Sequence, residues 1–185
     1  MFFIPGFVIS ILTFPGVIVH ELAHQLFCRW CKVPVFEVKY FQFKNPCGYV
    51  IHEVTSNPMK NFLTAMGPFF FNTFLGALLV LPASVELLYF PQIDGVIGAM
   101  IVLMNLLLLW LGVSVLMHAF PSTGDAKALY ESVLKNSEVP LIYKILVAPF
   151  IGLIYIGAFG SVIWLDLFYA IAVSMLVPKL FLLFL

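Results

Sequence analysis

His20-Glu21-Leu22-Ala23-His24 stands at the end of an apolar run covering residues 4–19. An unpartnered ionisable side chain at membrane depth is expensive, so three titratable residues in this setting need a physical reason. On a helix, His20 and His24 lie one turn apart on the same face, and both imidazoles can reach one tetrahedral zinc ion. Glu21 projects about 100° round the axis from His20. That places its carboxylate beside the ion's open position, where it can take a proton from zinc-bound water instead of ligating. In a soluble protein the same short pattern is often ordinary surface-helix charge, and the apolar surroundings weigh against that here.

Those surroundings define the class. The chain has 185 residues, 63% hydrophobic and 10% charged, with a mean hydropathy of +1.09. Several apolar runs reach spanning length, so the expected fold is a membrane all-α, polytopic bundle of about four to five transmembrane helices. Residues 1–185 are expected to form a single domain without a separate soluble part. Zero net charge gives no sign of a nucleic-acid partner. The first 28 residues lack a basic leader region and contain the motif, so they are expected to be a retained helix. Cys28, Cys31 and Cys47 are too few for a disulfide framework, and a lone C-x-x-C reads as packing or incidental thiols.

Along the chain, Pro15-Gly16 predicts that the straight helix bearing the motif begins near Pro15. Residues 35–43 and 48–54 alternate polar with apolar about an Asn45-Pro46-Cys47-Gly48 turn, predicting an interfacial β-hairpin between the first and second spans. Its open edge should meet protein, water or an extended substrate; the alternative is a hairpin that only covers the site. A second span is expected over residues 62–81, with Gly67 allowing close helix approach and Asn72 needing a buried partner. A loop over residues 82–95 and a third span over residues 96–120 follow, the latter with Asn105 in its middle and His118 near its end. Residues 121–136 should make a short polar helix. Residues 141–185 fit two more spans turning near Gly157, Gly160 and Asp166, or one tilted span with an interfacial tail.

Five of the nine basic residues, Arg29, Lys32, Lys39, Lys44 and Lys60, fall between the first two spans. Lys127, Lys135 and Lys144 surround the loop after the third. Both loops are therefore expected on the cytoplasmic side, with Asp94 and the turn near Asp166 on the other. A catalytic zinc usually takes three protein ligands. Asp125 shares the motif's side, whereas Asp94 should lie across a core roughly 30 Å thick. Asp125 is preferred, although Ser122-Thr123-Gly124-Asp125 also reads as a capping box. Glu53 and His118 are alternatives, His118 more as a group that orients a ligand or polarises substrate.

Taken together, these residues resemble the site-2 protease family of intramembrane zinc metalloproteases. The likeness rests on the HExxH helix, on Gly67-Pro68 to Asn72 opening the next span, and on an aspartate after a proline-bearing turn, Pro121 to Asp125; it covers a core of roughly residues 10–135. The usual Leu-Asp-Gly of that family is replaced by Gly124-Asp125-Ala126, and Ile93-Asp94-Gly95 approximates it. The resemblance implies a Zn2+ cofactor held by His20, His24 and Asp125, water activated by Glu21, substrate or transition-state contacts at Asn72 and His118, and a transmembrane protein or peptide as substrate. It implies hydrolysis of peptide bonds within or near the bilayer, by a multi-pass protein of the cell membrane with its active site toward the cytoplasm. The alternative is a non-catalytic membrane scaffold or chaperone that keeps a zinc site. A further one is a protease whose third ligand is Glu53.

Overall fold

In the computed structural model, which describes residues 6–89 and 95–184, the first apolar stretch is two helices, α1 (Gly6–Leu12) and α2 (Phe14–Trp30), that meet at 90°. Pro15 falls in the first turn of α2, where its missing N–H breaks no helical hydrogen bond and its fixed φ suits a helix start. The motif helix thus begins where the sequence predicts. Gly16 brings it against the helix carrying Ser114, so closely that a methyl group would overlap the Ser114 carbonyl oxygen and the His118 ring.

Strands β1 (Val35–Lys39) and β2 (Tyr49–His52) form the expected antiparallel hairpin, with Val35 opposite His52, Lys39 opposite Tyr49, and a bulge between Val35 and Glu37. The ladder is shorter than the alternation suggests because residues 40–48 leave it and fold over α2. Gln42 closes that loop: its backbone N–H donates to the Cys47 carbonyl at 2.7 Å and its side-chain amide to the Pro46 carbonyl at 2.8 Å. Phe41 packs on Phe14 with ring centroids 5.8 Å apart. Gly48 is pressed against Val17 and Glu21 with no room for a β-carbon.

Helix α3 (Pro58–Tyr89) is capped by Asn57, whose side-chain oxygen accepts from the Met59 and Lys60 amides at 3.0 and 3.2 Å. It continues through Pro68 and Pro82, where the sequence predicts a loop from Pro82. A carbonyl freed by proline is tolerable inside a packed membrane bundle, and Ala83 and Ser84 just beyond Pro82 are buried. Their packing outweighs the lost bond. Helix α4 (Gly95–Met117) crosses α3 at Gly76 and Gly112, each of which would strike its neighbour if given a β-carbon. It ends three residues before the predicted limit of that span. Asp94, weighed above as a ligand, lies outside the described residues.

The short helix expected next is α5 (Thr123–Leu129), continued by a wide helical turn at Tyr130–Leu134. Helices α6 (Leu141–Gly160) and α7 (Leu165–Leu183) then divide at Ser161–Ile163, with Trp164 in the left-handed region at φ 66. The predicted turn is therefore present, but its predicted side is corrected. Val147, Ile151 and Ile154 of α6 bury against Ala65, Met66, Ala126 and Leu129, and Gly157 closes on Phe120. The turn thus arrives beside the end of α4 from which the chain leads to α5 and Asp125, and Asp166 lines one cavity with His20 and Glu21. Placing it on the opposite face assumed that every apolar segment of spanning length leads across the bilayer. Here α6 leads back to the site, and α7 departs from it, the Tyr169 hydroxyl 2.7 Å from that of Thr73 and Ser174 near Ser84.

Four helices are long and apolar enough to cross a membrane, or five if the bent α1–α2 pair counts as one span. Along α4, Val96, Ile97 and Leu103 remain 79%, 75% and 70% exposed. A continuous apolar face of this kind suits lipid and not water.

Candidate metal centre

His20, Glu21 and His24 are all buried, and each histidine is oriented by a main-chain carbonyl. Nδ1 of His20 lies 2.6 Å from the His118 carbonyl oxygen, and Nδ1 of His24 lies 3.0 Å from that of Thr64. A carbonyl can only accept, so both Nδ1 atoms carry the proton and both Nε2 atoms are left with a lone pair. This is the tautomer a metal ligand needs, and such an outer hydrogen bond also fixes the ring.

Asp125 completes the cluster. Its Oδ2 lies 3.7 Å from His24 Nε2, and one donor atom from each of His20, His24 and Asp125 falls within 4.8 Å of the others. A tetrahedral zinc with bonds near 2.1 Å spaces its ligands roughly 3.4 Å apart, so a small contraction would close the set. These three residues could hold a metal ion. Asp125 is at the same time the capping residue that its sequence context predicts: the Ser122 amide and hydroxyl donate to Oδ2 at 2.8 and 2.7 Å, and the Asp125 amide returns a bond to Ser122 Oγ at 3.2 Å. The two roles can coexist because a carboxylate offers about four lone-pair sites over its two oxygens, and Ser122 occupies two of them, both on Oδ2. Glu53, the other carboxylate weighed as third ligand, is exposed and stands outside the cluster.

Glu21 makes no hydrogen bond among the described residues. It lines a cavity of about 530 Å³ together with His20, His118 and the hairpin tip, residues 45–48. The hairpin therefore covers the site.

Asn72 is fully buried, and its amide nitrogen donates to the His118 carbonyl at 2.9 Å and more weakly to that of Val115 at 3.4 Å. It touches the same oxygen that orients His20. Its own Oδ1 has no partner among the described residues. Asn72→Leu, which keeps the bulk and removes the donor, is expected to weaken metal affinity about 10- to 100-fold with helix content unchanged, read by competition against a chelator. Unaltered affinity would mean that the His118 carbonyl holds His20 unaided.

The His118 side chain points elsewhere. The single hydroxyl proton of Thr13 goes to the Ile9 carbonyl at 2.7 Å, so Thr13 Oγ1 must accept from His118 Nε2–H at 2.8 Å. A neutral His118 then has no proton left to offer a substrate carbonyl. The groups that sequence reasoning missed are the carbonyls of Thr64 and His118, the Thr13 corner and Asp166. Every residue has a carbonyl, so only the packing of α2 on α3 and α4 could single out these two.

Comparison of the chain with protein-family models, curated proteins and solved structures yields no match.

Proposed function

We propose that this chain is a zinc metalloprotease that hydrolyses peptide bonds within or beside transmembrane segments of other proteins, as its resemblance to the site-2 protease family implies. The observation that carries the reading is Glu21: a buried carboxylate without a hydrogen-bond partner among the described residues, one position from His20 and open to the cavity. A purely structural metal site has no use for it.

Held by Nε2 of His20, Nε2 of His24 and a carboxylate oxygen of Asp125, Zn2+ would supply Lewis acidity for polarising the scissile carbonyl and acidifying water. Glu21 takes a proton from the attacking water and delivers it to the leaving nitrogen, so that one C–O bond forms as the C–N bond breaks. His118 and Thr64 hold the two imidazoles in register through their carbonyls. The loop over Glu21 forms one wall of the cavity and α1 contributes to another. A helical substrate hides its carbonyls in hydrogen bonds, and it must unwind locally to enter. The unpaired hairpin edge offers such an extended segment a place to pair. The basic residues on either side of the hairpin orient this end of the bundle toward the cytoplasm of a cell membrane.

The test is metal dependence. The detergent-purified chain is expected to carry near-stoichiometric zinc and to cut a transmembrane peptide, to lose both on chelation, and to regain both on readdition of zinc. Cleavage that persists in metal-free protein would rule out the proposal.

A further inference from the structure

The cavity that Glu21 lines extends well beyond the catalytic motif. Its wall includes Ser122, Thr123, Ser161 and Asp166, so the α6–α7 turn faces the same space as His20 and Glu21. Among the described lining residues there are two carboxylates, Glu21 and Asp166, and no lysine or arginine. Asp166 Oδ1 accepts the Leu167 amide at 2.8 Å, while Oδ2 has no partner among the described residues. Among the described residues no lysine or arginine lies within ion-pair distance of a carboxylate, and the one histidine–carboxylate contact is His24 with Asp125. A carboxylate in the first turn of an apolar helix, half withdrawn from water and with no lysine or arginine beside it among the described residues, is costly to keep unless something compensates it.

The carboxylate is also held in place. Gly160 packs on Leu165 and Gly157 on Phe120 with no room for a β-carbon. One turn further, Tyr169 bonds Thr73 and stacks edge-on against Phe120 with centroids 5.1 Å apart. A fixed anion in a low-dielectric cleft selects charge in whatever enters. An acid in the first turn of α7 also favours the helix dipole. That explains an acid at this position, not a cavity whose described lining holds no lysine or arginine to answer it.

We propose that Asp166 is a specificity-determining residue, taking the lysine or arginine side chain of an unwound substrate segment whose scissile bond lies at Glu21. The inference rests on the proteolytic reading for the identity of the occupant, and binding tests it apart from cleavage. In the zinc-loaded Glu21→Gln chain in detergent, fluorescent transmembrane peptides carrying Lys, Gln or Glu at successive positions are titrated. At one or two adjacent positions Lys is expected to lower Kd about tenfold relative to Gln, and Glu to raise it. Asp166→Asn should remove that difference and Asp166→Lys should reverse it in favour of Glu. Equal Kd for Lys and Gln peptides at every position, a comparison that leaves Asp166 untouched, would overturn the proposal, as would a Lys preference that survives Asp166→Asn. A wild-type chain that binds the Lys peptide selectively and cuts none of the series would sink proteolysis and leave the subsite standing.

Discussion

Glu21→Gln is expected to keep its zinc and to lose about 10²- to 10⁴-fold in the rate of cleavage, the usual contribution of a positioned general base. The two side chains are nearly the same size, so the close fit beneath Gly48 is preserved and the loop has no reason to move. Neither histidine depends on Glu21 for its orientation, since both are held by carbonyls. What changes is that an amide cannot accept the proton of the attacking water. Single-turnover cleavage alongside elemental analysis of the same preparation separates the two readouts. Undiminished cleavage with full zinc content would remove Glu21 from the chemistry. Loss of zinc would instead make it a ligand.

Asp125→Ala is expected to reduce zinc from near one per chain to background, because only two imidazole donors would remain. The substitution also removes the carboxylate half of the α5 capping box, worth about 1 kcal/mol, so a control must divide these effects. Ser122→Ala supplies it: the cap loses its hydroxyl, the carboxylate stays, and zinc content should hold at the wild-type level while stability falls by about the same 1 kcal/mol. Elemental analysis of both variants decides the matter. Zinc retained in Asp125→Ala and lost in Glu53→Gln would reassign the third ligand.

The parts of this molecule that could be read from its sequence are those set by local pattern. HExxH fixes a helical spacing whatever the tertiary structure, Pro15 marks a helix start through its own covalent geometry, and Ser122 to Asp125 closes a capping box over four residues. The hairpin was visible in its alternation and turn, though not that residues 40–48 would leave the ladder to cover Glu21. The failures share one cause. Pro82 reads as a terminus until the burial of Ala83 and Ser84 is known, and Asp166 reads as lying on the far face because hydropathy reports that a segment is apolar without reporting which way it runs. Only the contacts of α6 with α5 and of Gly157 with Phe120 return that turn to the site. Asn72 lay between these cases: a buried amide in need of a partner was legible, its partner was not.

The two oxygens that orient His20 and His24 belong to the backbone, and this bears on how such a centre withstands genetic change. No substitution at position 64 or 118 other than one that shifts the chain can delete its acceptor, so side chains there can drift while the imidazoles stay aimed. Vulnerability is displaced to positions that set the distance between helices. Gly16, with the Ser114 carbonyl in the space a methyl group would fill, is the most exposed of them. A variant there would touch no ligand, yet it would misalign the centre by pushing α2 away from the carbonyl that holds His20.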